Sequence, residues 1–122
     1  CYAANGLYLT IDEFGNFGQM LLEGGRYQGR QLVPAEYMAA ATRKQVETQN
    51  RYPEGTPQSY GYGYQFWMTE IPDTFLCSGN YGQYCLVMPK RDTVICVMSL
   101  EGRNHKRIRD LLIETAKEWD PE

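Results

Sequence analysis

Three serines are candidate nucleophiles in this chain: Ser59, Ser78 and Ser99. A serine hydroxyl attacks a carbonyl group efficiently only when a base removes its proton, and a lysine three residues later is one such base. The residues three positions after the serines are Tyr62, Tyr81 and Gly102. None of these is a lysine, so no serine here has that base at this spacing.

One histidine and four cysteines limit the other chemistry that the sequence can support. His105 stands at the start of a predicted helix, where an exposed position is more common than a catalytic one, and it does not complete a Ser-His-acid set. No Cys-x-x-Cys pair occurs, so we predict neither a metal site nor a cofactor. Asp12 and Glu13 are better explained by helix capping than by acid–base catalysis.

Two of the cysteines fall opposite each other in a predicted β-hairpin. A turn centred on Lys90 and Arg91 places Cys85 opposite Cys96. We favour two buried free thiols over a disulfide, because unpaired cysteine is among the most buried residue types. A loop with an odd number of residues would shift the register and remove the pairing.

Aromatic residues recur at every second position from Tyr60 to Phe66, and Trp67 follows. A strand here would place the four alternate aromatic side chains on one face. Such a stripe could stack on RNA bases or on sugar rings. The net charge of -3 and the lack of a leading basic residue argue against RNA. A role in the core or in a pocket wall is more common for tyrosines, and glycan or peptide binding is the alternative.

A glycine-rich stretch, Gly79-Asn80-Tyr81-Gly82-Gln83, precedes a predicted strand. Successive backbone N–H groups in such a stretch can hold an anion. Phosphate loops of the standard types precede a helix, however, so the local sequence favours a tight turn that contains a residue at positive φ.

The length and composition predict one globular unit, and the order of its predicted helices and strands makes it α+β. The chain has 122 residues, of which 43% are hydrophobic and 22% charged, as in ordinary globular domains. We divide it into a helical segment (1–46), a polar loop (47–59) and a sheet with a C-terminal helix (60–122). No apolar run reaches the ~18 residues of a membrane helix, and no signal peptide is visible. Because the sequence begins at Cys1 and not at a methionine, it predicts no compartment.

Two helices are predicted in the first segment. Thr10 and Glu13 have the spacing of a capping box. The helix after them would bury one face, made of Ile11, Phe14, Gly18, Leu21 and Leu22. Gly15 and Gly18 are expected to allow close packing. The second helix would begin after Pro34 and run from Ala35 to about Lys44.

The remaining sequence predicts strands at 74–78, 83–88 and 93–100, followed by a helix. The last two strands form a hairpin that is apolar on both faces, so both faces need cover. Asn104 would cap the final helix. Its buried side would comprise Ile108, Leu111, Leu112, Ala116 and Trp119. The basic stretch from Lys106 to Arg109 is interpreted as a solvated helix end.

Several segments occur in an order that resembles one family. They are Gly6-Leu7-x-x-Thr10-x-Asp12, Phe17-Gly18-Gln19-Met20-Leu21-Leu22-x-Gly24-Gly25, Gly29-x-x-Leu32, Tyr62-Gly63-Tyr64-x-x-Trp67, Ser78-Gly79-x-x-Gly82-Gln83 with Pro89, and Asp92-x-Val94. Together they resemble the serine β-lactamase-related proteins, which include class C β-lactamases, DD-peptidases and related esterases and amide hydrolases. The resemblance extends from about Asn5 to Leu100.

This resemblance implies a serine acyl-transfer fold, with an antiparallel sheet of three to four strands, two N-terminal helices and a C-terminal helix packed on it. In the family the serine, the lysine and the proton-shuttling group lie N-terminal to the segments found here. We therefore expect the chain to be the C-terminal part of such a domain and to be inactive alone.

The family's third motif, usually Lys-Thr-Gly or Lys-Ser-Gly, falls on Cys77-Ser78-Gly79. Cys77 replaces the cation that would hold a substrate carboxylate, which favours an esterase- or amidase-like relative over a penicillin-type substrate. The residue after the motif, Asn80, would supply one oxyanion-hole N–H group. The resemblance also makes pocket-wall candidates of Tyr62, Tyr64 and Trp67.

The same resemblance predicts partners. In the family, helices from both halves of the domain cover the sheet, whereas this chain has few helices for a hairpin that is apolar on both faces. We therefore expect part of the sheet surface to be uncovered in this chain. In the longer protein the missing partner would be the N-terminal half of the same protein, whereas the isolated chain would self-associate by strand or helix exchange. No nucleic-acid partner and no membrane span are expected.

Overall fold

The computed structural model describes residues 5–119, so Cys1 lies outside the described part. The elements, in chain order, are α1 (Ile11–Leu22), β1 (Arg26–Tyr27), β2 (Arg30–Gln31), α2 (Ala35–Ala41), β3 (Trp67–Met68), β4 (Phe75–Gly79), β5 (Gln83–Met88), β6 (Thr93–Val97) and α3 (His105–Glu118). Short 3₁₀ helices occupy Pro57–Tyr60 and Pro89–Arg91. The predicted α+β fold is confirmed.

The N-terminus of α1 has the predicted capping box. The Glu13 backbone N–H donates to Thr10 Oγ1 over 3.3 Å, and the Thr10 backbone N–H donates to Glu13 Oε2 over 2.7 Å. The predicted buried face is correct at Gly18 and Leu21 but wrong at Ile11, which is 46% exposed. Ile11 belongs to the first turn of the helix, where Asp12 and Glu13 are exposed as well.

The main sheet has four antiparallel strands in the order β3-β4-β5-β6. Met88 pairs with Thr93 and Cys85 pairs with Cys96, so the register predicted for the hairpin is confirmed. Strand β6 ends at Val97 rather than at Leu100.

Helices of this chain cover both faces of β5. Cys85 and Val87 pack into a cluster with residues of α1 and α2, while Leu86 and Met88 pack into a second cluster with α3. Strand β5 is therefore not part of the uncovered surface that the sequence predicts, and that surface is smaller than expected. Strand β6 is half-buried along its length, and its outer edge has no strand partner within residues 5–119.

The predicted strand from Tyr60 to Trp67 is wrong. The chain reverses between Tyr62 and Trp67, which become bridge partners, and only Trp67–Met68 is a strand. Gln65 lies at a φ of 68°, and the Gly63 N–H donates to the Phe66 carbonyl over 2.8 Å. The tyrosines therefore do not form a stripe on one strand face.

Helix α2 is shorter than predicted because another segment takes its last carbonyl group. The Tyr64 N–H donates to the Ala41 carbonyl over 2.9 Å. Gly63 lies so close to the backbone of Ala41 and Arg43 that a Cβ atom would collide with both. The helix ends at Ala41 instead of Lys44 because the turn after Tyr62 packs against that end.

Helix α3 is rotated relative to the predicted buried face. Leu111 and Trp119 are about half exposed, whereas Arg109 and Ile113 are buried with Leu112 and Ala116. Asn104 stands at the N-cap position, but its side chain makes no capping hydrogen bond. The solvated end predicted for Lys106 to Arg109 is wrong at Arg109, whose charge is neutralised by Glu70. Within the described part of the chain, no helix combines the length and hydrophobicity needed to cross a bilayer.

Candidate functional site

Strand β4 carries three of the candidate site residues, and its residues become more exposed from its first residue to its last. Phe75 and Leu76 are buried, Cys77 is half-buried, and Ser78 and Gly79 are exposed. The neighbouring strand β3 pairs only with Phe75 and Leu76. Within residues 5–119, one edge of β4 is therefore free of a strand partner from Cys77 to Gly79, and its backbone groups are available to a ligand.

Ser78 lies opposite Tyr84 of β5. The Tyr84 hydroxyl donates to the His105 carbonyl over 3.2 Å, and burial raises the pKa of this phenol above its usual value. The cross-strand neighbour of Ser78 is thus a phenol that keeps its proton at neutral pH.

The glycine-rich stretch forms the tight turn that joins β4 to β5. Tyr81 and Gly82 lie at φ values of 63° and 83°. A tyrosine in the left-handed region is uncommon and strained, by about 1 kcal/mol or more. Asn80 begins the turn in an exposed position, directly after the free edge of β4.

An aromatic cleft lies beside this edge. The rings of Tyr62 and Trp67 are 4.5 Å apart, and the edge of Tyr52 meets Trp67 at a centroid distance of 6.1 Å. The cleft encloses about 440 Å³, within the usual range for small-molecule sites. Its other lining residues are Val46, Glu47, Thr48, Asn50 and Arg51.

The structure does not bring Tyr64, the third pocket-wall candidate, to this cleft. Its ring lies 5.9 Å from that of Tyr37 on α2. Tyr52 takes its place, a residue that sequence reasoning missed because residues 47–59 were interpreted only as a linker. The aromatic residue in the middle of this polar loop was the available signal.

The cleft and the free edge of β4 are adjacent. Trp67 pairs with Leu76, so Trp67 and Ser78 are diagonal neighbours on one face of the sheet. Diagonal pairs in antiparallel sheets lie about 7–8 Å apart. Trp67 is therefore the wall of the cleft that lies next to the end of β4.

Comparison with known proteins assigns the fold to a class. The sequence model of the Beta-lactamase family matches residues 2–115. The chain belongs to this family, as the order of its motifs indicated, and its helices and antiparallel sheet form a fragment of the β-lactamase fold.

A solved structure gives a more particular relative. A Bacillus anthracis protein assigned as a 6-aminohexanoate-dimer hydrolase is 27% identical to this chain, with a TM-score of 0.67. The match covers 96% of this chain and 31% of that protein. The chain thus spans about a third of that relative, and a search of curated proteins gives no significant match.

Proposed function

We propose that this chain is the C-terminal part of a serine hydrolase of the β-lactamase family, to which it supplies a substrate-binding strand and a pocket wall. The observation that carries the proposal is the free, exposed end of β4 next to the aromatic cleft. The nucleophile belongs to the N-terminal half of the same domain, since none of the three serines here has a lysine three residues later.

The end of β4 has the groups that acyl transfer requires of a binding strand. When a carbonyl group is attacked, negative charge develops on its oxygen, and backbone N–H groups fixed nearby stabilise that charge. The Asn80 N–H is our candidate donor, because it follows directly on the free edge of Cys77–Gly79. Ser78 adds an exposed hydroxyl group that can hydrogen-bond a substrate.

Cys77 narrows the class of substrate. A thiol stands where the family usually has a lysine, so this position offers no positive charge to a substrate carboxylate. The Tyr62 and Trp67 rings offer apolar surface instead. We therefore propose an ester or amide with an apolar acyl or amine portion.

Two substitutions at one position test the role of the strand in the longer protein that carries the Ser-x-x-Lys serine. Asn80→Pro removes the backbone N–H, and Asn80→Ala keeps it. We expect kcat for a p-nitrophenyl ester to fall roughly 10²–10³-fold in Asn80→Pro and to change little in Asn80→Ala. Circular dichroism checks that both variants are folded.

The opposite pattern would contradict the proposal. If Asn80→Ala loses as much activity as Asn80→Pro, the side chain and not the backbone donor matters. If a folded Asn80→Pro protein keeps full activity, Asn80 supplies no oxyanion donor. Trp67→Ala is the matched test of the pocket wall: it should raise KM more than it lowers kcat, because the ring binds substrate and transition state alike.

A further inference from the structure

Three cysteines lie in a row across the main sheet. Cys77 on β4 pairs with Cys85 on β5, and Cys85 pairs with Cys96 on β6. Directly opposed residues of adjacent strands point to the same face of a sheet. The three thiols therefore share the face that α1 covers, where all belong to one apolar cluster.

Helix α1 packs against part of this row of cysteines at Gly18. A Cβ atom at Gly18 would lie 2.9 Å from the Cys85 sulfur and 3.6 Å from the Cys96 sulfur. The Cys96 thiol donates to the Phe14 carbonyl over 3.6 Å, and Cys85 is fully buried. Cys85 is thus packed beneath the helix. Cys77 and Cys96 are both half-buried, and Cys77 lies on the free edge of β4.

All three thiols are unlinked, in agreement with the prediction for Cys85 and Cys96. The neighbouring Cys77 thiol is the largest factor that raises the pKa of Cys85 to about 12. Within residues 5–119, the thiols do not converge on a point that three metal-ligating groups could share. A row of this kind suits pairwise linkage better than a shared metal ion.

The pairing fits disulfide formation. Opposed residues of an antiparallel pair have Cα atoms about 4.5 or 5.5 Å apart, and both values lie within the range that disulfides span. Cys85 can therefore link to either neighbour, but to only one at a time.

We propose that Cys77 is an oxidation site for small peroxides and that Cys85 is the thiol that converts the oxidised group to a disulfide. The surroundings of Cys77 and Cys96 decide which of these two thiols reacts with the peroxide. Strand β3 stops opposite Leu76, so a peroxide can reach Cys77 from the open edge. Cys96 is equally half-buried, but there the Phe14 carbonyl of α1 accepts a hydrogen bond from the thiol, which Cys77 does not make within the described residues.

The chemistry takes two steps. The Cys77 thiolate attacks one oxygen of the peroxide, the O–O bond breaks, and sulfenic acid forms while the other oxygen leaves as hydroxide or alkoxide and takes up a proton. The Cys85 sulfur then attacks the Cys77 sulfur and displaces water, with the Cys85 proton completing that water. The peroxide is reduced by two electrons and the thiol pair is oxidised by two. These steps do not depend on the proposed hydrolase function.

Trypsin distinguishes the two disulfides directly. The peptide of residues 52–90 contains both Cys77 and Cys85, whereas Cys96 lies in the peptide of residues 92–103. The 122-residue chain carrying Cys1→Ser is treated with hydrogen peroxide, blocked with N-ethylmaleimide and digested. We expect the 52–90 peptide to lose two hydrogens and to carry no maleimide, in this protein and equally in a Cys96→Ser variant.

A Cys85→Ala variant tests the resolving thiol. It should form no disulfide and should trap dimedone at Cys77, where the sulfenic acid persists. A disulfide between the 52–90 and 92–103 peptides would overturn the proposal. A 52–90 peptide in which both cysteines carry maleimide after peroxide treatment would overturn it as well. If Cys85→Ala does not fold, the peptide maps of the Cys1→Ser protein and of the Cys96→Ser variant still decide.

Discussion

Arg109 of α3 donates two hydrogen bonds to Glu70, over 3.2 Å to Oε1 and 2.7 Å to Oε2, from a side chain that is 7% exposed. Glu70 lies between β3 and β4, so the pair fastens the C-terminal helix to the strand connection that leads into the candidate site. A bidentate arginine–carboxylate pair fixes geometry as well as charge.

Removal of Arg109 tests this contact. Arg109→Ala should lower the free energy of unfolding by about 2–3 kcal/mol, because it leaves the partly buried Glu70 carboxylate without its partner. Lys106→Ala is the control, since Lys106 makes an exposed pair with Asp110 on the same helix. That change should cost no more than about 0.5 kcal/mol. Equal losses in urea unfolding would refute a special role for the Arg109 pair.

The Glu70 contact also predicts a dependence on pH. Burial alone would raise the pKa of Glu70, but hydrogen bonds from Arg109 and the backbone outweigh it and hold the pKa below its ordinary value. The folded pKa lies below the unfolded one, so the stabilisation is complete above about pH 4.3 and is lost as the pH falls through the folded pKa.

Glu70→Gln removes this titration and provides the comparison. The stability advantage of the unaltered protein over Glu70→Gln, measured by urea unfolding, should shrink from about pH 6 to about pH 3. Glu13, whose pKa is lowered by hydrogen bonds from Thr10, titrates equally in both proteins and cancels. A constant difference across this range would contradict the prediction.

Two glycines of α1 should respond to alanine with opposite signs. A Cβ atom at Gly18 would lie 2.5 Å from Val94 Cγ1 and 2.9 Å from the Cys85 sulfur, whereas at Gly15 it would meet nothing within 4 Å. Gly18→Ala should destabilise by about 1–3 kcal/mol through overpacking. Gly15→Ala should stabilise by about 0.5–1 kcal/mol, since alanine favours a helix. Thermal unfolding of both variants gives the signs, and stabilisation by Gly18→Ala would show that α1 packs differently.

Self-association of the isolated chain remains a prediction, and the structure indicates where to test it. The free edge of β6 continues into Met98, which is 41% exposed, and Leu100, which is 94% exposed. We expect light scattering to give a mass above that of one chain. The double substitution Met98→Glu/Leu100→Glu places negative charges beside this edge and should lower the mass measured by light scattering.

Leu32→Glu is the matched control, because Leu32 is 55% exposed and follows β2 rather than β6. It should leave the association unchanged. A monomer at every concentration, or equal effects of the two sets of charges, would contradict self-association through β6.

Local signals made much of the fold predictable. The capping box at Thr10 and Glu13 involves residues three apart, and the apolar runs of β5 and β6 set their own register through the turn between them. Such features need little information from elsewhere in the chain. The family motifs then indicated that these elements form part of a β-lactamase-related domain.

The errors arose where distant residues decide the outcome. The alternation from Tyr60 to Phe66 has the period of a strand, but Gly63 packs against Ala41 and the chain turns back. Arg109 looked solvated because its partner, Glu70, is 39 residues away. Tyr52 could not be assigned to the cleft, since its contact with Trp67 exists only after the loop has folded.

The central claim is that this chain supplies a binding strand but no nucleophile. Labelling with a fluorophosphonate probe, followed by peptide mapping, tests it most directly. We predict that the isolated chain stays unlabelled and that the longer protein is labelled once, at the serine of a Ser-x-x-Lys motif upstream of Cys1. Labelling of Ser59, Ser78 or Ser99, or a longer protein that does not react, would contradict the account.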